Sequence, residues 1–220
     1  MLWGAIATVL LVGYLLGSIP TGYVVAKLAK GIDIRQHGSG NPGATNVFRT
    51  VGKRAGITVL VIDLIKGLSA VLLAVPLLQM LAAMFPLSIT PTTTAWAATL
   101  AGLGALVGHS RSVWLGFTGG KSAATGLGVL LALAWPVGLG VAVVFGLTFT
   151  LSRIVSLGSI LAALSAPALM LFLHQPLPFC LLAVAGGIYV VLRHRSNIAR
   201  LFAGTEPRLQ AAESTTTKTP

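Results

Sequence analysis

The chain of 220 residues is poor in charge: only 9% of it is Asp, Glu, Lys or Arg, and just four of those residues are acidic. A soluble domain carries about 25% charged residues. It has a single cysteine, Cys180, which excludes an intrachain disulfide. Its four histidines form no cluster with Cys or carboxylates at metal-ligand spacing, so no metal and no cofactor is expected. The segment Met1-Leu2-Trp3 carries no basic residue and the first positive charge is Lys27, so no secretory signal is expected. Apolar residues are abundant, at 55%. Glycine raises that share to about two thirds, against roughly 45–50% for soluble domains on the same count. Neither a soluble globular chain nor a disordered one accommodates so much apolar surface, which leaves a polytopic, all-α membrane protein. The formal charge of +11 would suggest nucleic acid in a soluble protein. In a membrane protein it marks positive-inside loops or a site for anions, and no nucleic-acid partner is expected.

A helix needs about 20 apolar residues to cross roughly 30 Å of hydrocarbon. Such runs lie at residues 2–28, 57–85, 92–107, 123–151, 154–173 and 177–192. Lys27, Lys30, Arg35, Arg49, Lys53 and Arg54 fill one connection, Arg111 and Lys121 another, and Arg193, Arg195, Arg200 and Arg208 follow the last run. The connections 86–91 and 174–178 have no Lys or Arg, so the positive-inside rule puts the basic segments in the cytoplasm and these two outside. The run 123–151 must then begin and end inside. Trp135-Pro136, with Gly138 and Gly140, offers the break that divides it into a hairpin of two short helices. Seven crossings follow, with the N-terminus outside and the C-terminus cytoplasmic. Residues 1–205 form one domain, and residues 206–220 a polar tail that is expected to be disordered.

Polar and glycine-rich residues gather in four segments on the cytoplasmic side: 38–49, 108–122, 152–159 and 193–197. Gly38-x-Gly40-x-x-Gly43 matches a dinucleotide fingerprint literally, but a membrane span precedes it where that motif needs a strand. Gly120-Lys121-Ser122 resembles the end of a P-loop, yet the glycine required five positions earlier is Leu115. The physics common to both motifs survives: glycines let a phosphate approach the backbone, and Lys or Arg balances its charge.

Gly17-Ser18-Ile19-Pro20-Thr21-Gly22, the block GSGNPGATNVFRTVGKRAG at 38–56, Asp63-x-x-Lys66-Gly67, Gly108-His109, Gly116-Phe117-Thr118-Gly119-Gly120-Lys121, Val155-Ser156-Leu157-x-Ser159 and His194-Arg195-x-Asn197-Ile198 occur in this order. Together they resemble the bacterial acyl phosphate:glycerol-3-phosphate acyltransferases (PlsY) from about residue 13 to residue 205. The resemblance implies a seven-helix enzyme of the bacterial plasma (inner) membrane, its site on the cytoplasmic face. Such an enzyme transfers a fatty acyl group from acyl phosphate to the 1-hydroxyl of sn-glycerol 3-phosphate, giving lysophosphatidic acid and inorganic phosphate. Its partners would be those two substrates and membrane lipid, and it would act as a monomer.

By the same resemblance Ser39, Arg49, Lys121 and His194 are the catalytic group, with Asn197, His109, Ser156 and Ser159 binding substrate. Gly40, Asn41, Gly43, Thr45 and Asn46, with the Gly119-Gly120 turn, would cradle the acyl phosphate. His194 and His109 are candidate general bases on chemical grounds. A substrate phosphate taking the proton itself is preferred, because the family that the chain resembles is of that kind. The chain departs from the family pattern at Ser110-Arg111-Ser112, where a Phe-Pro or similar pair is usual, and at Ser122, where glycine is usual. Asp63 and Lys66 sit three apart inside a span, where an ion pair fixing the helix is at least as natural as catalysis. Gly13-x-x-x-Gly17 and Gly104-x-x-x-Gly108 suit helix packing better than dimerisation. A small transporter for an organic phosphate is the competing reading, though the chain lacks the repeat symmetry it would predict.

Overall fold

The computed structural model describes residues 1–209; of the tail expected to be disordered, residues 210–220 lie outside the described residues. The described chain is helical and contains no strand. Its helices are α1 (Leu2–Ser18), α2 (Thr21–Lys30), α3 (Ala44–Thr50), α4 (Lys53–Leu72), α5 (Ala74–Met84), α6 (Pro91–Ser110), α7 (Ala123–Leu133), α8 (Trp135–Ser152), α9 (Val155–Phe172), α10 (Leu177–Arg193) and α11 (Arg195–Phe202).

Local chemistry sets the boundaries. Pro20 ends α1, because the residue before a proline is biased away from helical geometry, and Ile19 takes φ −50, ψ 118. The run 57–85, read from sequence as one span, is interrupted at Leu73 between α4 and α5. Pro76 lies just inside α5, where its missing N–H would otherwise leave a gap in a continuous helix. α6 starts with Pro91 after a Thr90–Thr93 capping box, which satisfies amide donors that the first turn leaves free. The expected break before Pro136 falls at Ala134 (φ −153, ψ 87). There α8 turns back so tightly on α7 that a Cβ on Gly138 would lie 2.8 Å from the Cα of Leu131.

Among the described residues, four helical stretches are long and apolar enough to cross a membrane: Leu2–Lys30, Lys53–Met84, Trp135–Ser152 and Val155–Phe172. A fifth is counted if α10 and α11, bent by 61° at His194, are taken together. α7 is only 11 residues long, and α6 is rich in Thr, Gly and Ala rather than leucine. Burial is inverted relative to a soluble protein. Leu11, Leu15, Leu72, Leu147, Leu151 and Leu164 are exposed, whereas alanine is the commonest buried apolar residue. That distribution suits a lipid solvent, in which helices associate through close backbone packing rather than hydrophobic burial.

The most extensive helix contact is between α1 and α6, which pack backbone against backbone. A Cβ on Gly13 or Gly17 would lie 2.3 Å or 2.2 Å from the carbonyl oxygen of Ala101 or Ala105. Conversely, one on Gly104 or Gly108 would lie 2.5 Å or 2.2 Å from the carbonyl oxygen of Leu10 or Tyr14. The two small-residue motifs therefore pack against each other within one chain. At one end of this bundle the loop before α3, the α6–α7 loop, the start of α9 and the α10–α11 bend converge on a cavity. The start of the expected tail also belongs there: Glu206 and Pro207 line the cavity, and the Leu209 amide donates to the Arg153 carbonyl at 2.8 Å. Glu206 packs there because an acidic side chain finds cationic and hydroxyl partners.

Candidate active site

The loop before α3 is built around one asparagine. The buried Asn46 side chain donates to the carbonyls of His37 (2.9 Å), Asn41 (3.0 Å) and Ile34 (3.3 Å), and its Oδ1 accepts from the Ser39 amide at 3.1 Å. Gly38 sits at φ +59, and a Cβ there would lie 2.2 Å from that Oδ1, so this turn requires glycine. Asn41 Oδ1 accepts from the Gly43 amide at 2.8 Å. Asn41 and Asn46 thereby shape the loop with atoms that a ligand would otherwise use. Ser39 and Thr45 are left with side-chain hydroxyls on the wall of the cavity.

The cavity measures about 570 Å³, within the usual range for a ligand site. Of the residues expected at the site, Ser39, Asn41, Gly43, Thr45, Asn46, Arg49, His109, Lys121, Ser156, Ser159, His194 and Asn197 line it. Gly40, Gly119 and Gly120 do not. Gly40 turns away at φ +69 and donates its amide to His37. The Gly120 amide donates to the His109 carbonyl at 3.1 Å. Arg193 holds the carbonyls of Gly119 and Gly120 at 3.1 Å and 3.0 Å. Gly119-Gly120 is therefore a packed turn rather than an open cradle: a Cβ on Gly120 would lie 2.0 Å from His109 Nε2.

Lys121, the next residue, reaches the Asn197 side-chain oxygen. Burial of the amine lowers its pKa to about 8, against the pull of Glu206; Arg200, Arg193 and Arg49 push it the same way as burial. Nearby cations and desolvation together make this a place that favours a multiply charged anion. Arg49 donates to the Pro207 carbonyl at 3.0 Å. His194 is buried and its Nδ1 lies 2.7 Å from the Val190 carbonyl. A carbonyl only accepts, so Nδ1 carries the proton and Nε2 of the neutral ring is the acceptor. Ser159 spends its hydroxyl on the Val155 carbonyl of its own helix at 2.9 Å.

Glu206 was not legible as a site residue. Its carboxylate accepts from Ser156 Oγ at 2.7 Å, from Asn197 Nδ2, and from Arg200 Nε at 2.7 Å. Burial works to raise its pKa, but these three hydrogen bonds prevail and hold it below the usual carboxylate value. Ser156, Asn197 and Arg200 thus present donors to an anionic oxygen.

The two departures from the family pattern meet in space. Ser122 Oγ donates to the Leu106 carbonyl at 2.7 Å and lies 3.1 Å from Ser110 Oγ, which in turn lies 2.7 Å from the Tyr189 hydroxyl. Ser122 takes φ +61, and these bonds offset the strain of a left-handed non-glycine residue.

Away from the polar end the same cavity runs between α7, α8, α9 and α10, lined by Leu127, Leu130, Phe145, Ala162, Ala166 and Ala183. One compartment therefore joins anion-suited donors to an apolar groove, which is the shape of an amphiphile with an acidic head.

A family model described as glycerol-3-phosphate acyltransferase matches residues 7–204. The glycerol-3-phosphate acyltransferase of Nostoc sp. is 53% identical over 207 residues, covering 91% of this chain and 90% of its own. Glycerol-3-phosphate acyltransferase 2 of Rhizobium johnstonii is 55% identical over 213 residues, covering 94% and 97%. The crystal structure of PlsY (YgiH), an integral membrane glycerol 3-phosphate acyltransferase, in its glycerol 3-phosphate form is 38% identical with a TM-score of 0.81, covering 93% of this chain and 96% of that one. Its lysophosphatidic acid form gives a TM-score of 0.79 at the same identity, covering 93% and 95%.

Proposed function

The chain belongs to the glycerol-3-phosphate acyltransferase family, and from that premise we propose that it takes its acyl group from acyl phosphate and delivers it to the 1-hydroxyl of sn-glycerol 3-phosphate. The observation that carries the donor assignment is the single cavity whose cationic end continues into an apolar groove. An acyl phosphate has the same two parts joined by the bond to be broken.

In this reading Arg49 and Lys121 neutralise phosphate charge, and Ser39, Asn197 and His194 hold the glycerol phosphate. Ser156 lies beside them. The Gly38–Asn46 loop, with Asn41, Gly43 and Thr45, faces the acyl phosphate head, and His109 closes the wall. The hydroxyl oxygen of the acceptor attacks the acyl carbonyl carbon. A new ester C–O bond forms, the C–O bond to phosphate breaks, and inorganic phosphate leaves. The released proton passes to a substrate phosphate oxygen, so neither a protein base nor an acyl-enzyme is required. His194 Nε2 accepts a hydrogen bond from the 2-hydroxyl and so orients the acceptor, leaving the proton of the attacking 1-hydroxyl to the phosphate. Placing two activated groups together while neutralising their charge supplies most of the acceleration.

The basic connections and the break at Ala134 support seven crossings, with the N-terminus outside and the C-terminus in the cytoplasm of a bacterial plasma membrane. The site then faces the cytoplasm, and the packing of both small-residue motifs within one chain supports a monomer. Purified protein with palmitoyl phosphate and sn-glycerol 3-phosphate should release phosphate and form lysophosphatidic acid in equal amounts. Activity with palmitoyl-CoA but not with palmitoyl phosphate would overturn the donor assignment.

A further inference from the structure

Of the most deeply buried charges in the described chain, one lines the cavity and the other lies beside it, and neither has a part in the steps above. Asp63, on α4, is 2% exposed and Lys66, one turn later, 5%. Asp63 Oδ1 lies 2.9 Å from Lys66 Nζ and 3.5 Å from His109 Nδ1, on α6. Lys66 also donates to the Ile19 carbonyl at 2.9 Å, in the bend between α1 and α2. Neither His109 Nδ1 nor Asp63 Oδ1 has a hydrogen-bond partner among the described residues, so the carboxylate acts on the ring through charge and contact at 3.5 Å. An ion pair that merely stiffened α4 would engage α4 alone. This one ties together α4, α6 and the α1–α2 bend.

The chain of contacts continues from His109 to the substrate side. Its carbonyl accepts the Gly120 amide at 3.1 Å. Its ring packs so closely on Gly120 that no Cβ fits. From the far side Arg193 grips the carbonyls of Gly119 and Gly120. The turn is held on both sides, and the residue it delivers to the cavity is Lys121. A buried ion pair inside a span is costly, and apolar groups of similar size often give equal or greater stability. Stability alone therefore gives little reason for Asp63, whereas orientation does.

We propose that Asp63 is a positioning residue for acyl transfer: its carboxylate orients His109, which fixes the Gly119-Gly120 turn and so sets the place of the Lys121 ammonium at the substrate phosphate. This rests on the reading that Lys121 binds phosphate. Lys66 neutralises Asp63 and locks it to the α1–α2 bend. A displacement of the ammonium by about 1 Å is enough to cost a large factor in productive binding.

The test compares two charge-free pairs, D63N/K66M and D63L/K66M, with H109L and K121A, by steady-state kinetics in sn-glycerol 3-phosphate after gel filtration and thermal unfolding. D63N/K66M keeps a side-chain oxygen for His109 Nδ1 and should leave KM within about threefold of the parent. D63L/K66M and H109L should each raise KM about tenfold or more, with kcat falling much less and the unfolding midpoint preserved. Should D63L/K66M not fold, H109L, which leaves the Asp63–Lys66 pair intact, carries the comparison. A parental KM in folded D63L/K66M or in H109L, with KM raised in K121A, would overturn the positioning role alone. An unchanged KM in K121A itself would instead overturn the assignment of Lys121 to phosphate.

Discussion

Lys121 gives a pH dependence with a defined direction. Its amine is charged below a pKa of about 8 and neutral above it. If it neutralises the acceptor phosphate, kcat/KM for sn-glycerol 3-phosphate should fall as pH rises through that value. From pH 7 to pH 9 the protonated fraction drops from about 0.9 to about 0.1, so close to a tenfold loss is expected, because kcat/KM reports groups of the free enzyme. The substrate does not contribute to this limb, since a phosphate monoester has completed its second ionisation, near pH 6, before it begins. Lys121→Arg separates the causes, because guanidinium stays protonated throughout. Its activity at pH 7 should be reduced by the changed geometry, but its alkaline limb should disappear below pH 10. The assay is phosphate release with saturating palmitoyl phosphate, corrected at each pH for hydrolysis without acceptor. The same limb in Lys121→Arg as in the parent would refute the assignment of that titration to Lys121, and with it the burial argument for the site.

Three further outcomes follow from the site. Arg49→Ala should lower kcat/KM for sn-glycerol 3-phosphate by about 10- to 100-fold at pH 7, the range that loss of one charge-assisted hydrogen bond gives; steady-state kinetics check this. Glu206→Gln removes the carboxylate that raises the Lys121 pKa, so the alkaline limb should move to lower pH, and an unmoved profile would disconnect the two groups. Ser122→Gly should unfold close to the parental midpoint, because relief of the left-handed strain offsets the lost hydrogen bonds. Ser122→Ala keeps the strain and loses the bonds, and should be less stable than Ser122→Gly by roughly 1–2 kcal/mol in thermal unfolding.

Much of this arrangement is legible in composition and pattern. The scarcity of charge reveals the membrane setting, Trp135-Pro136 marks the break that falls at Ala134, and the polar segments converge on one cavity. Spacing also separates Gly13, Gly17, Gly104 and Gly108 from the loop glycines, because a four-residue interval puts small residues on one helix face. Three features escape such reading. Glu206 lies beyond the last apolar run, where composition indicates a tail; only its opposition to Arg200, Ser156 and Asn197 in space makes it part of the site. One signal was available, since an acidic residue in so basic a chain has many cations to attract it. Gly119 and Gly120 look like a phosphate loop because glycine permits both close packing and open backbone, and sequence does not distinguish the two uses. Asn46 belongs to a polar block that reads as ligand-binding throughout, yet its amide is spent on the loop itself. Hydrogen-bond direction is a property of the folded loop and has no counterpart in residue type.

If one cavity couples an acyl phosphate to glycerol phosphate, inorganic phosphate release by purified protein in lipid reports it. Palmitoyl phosphate would be supplied with and without sn-glycerol 3-phosphate, and the lipid product quantified in parallel. Release that requires the acceptor and equals the lysophosphatidic acid formed is the expected result. Release at the same rate without the acceptor, or lysophosphatidic acid formed only from palmitoyl-CoA, would contradict it.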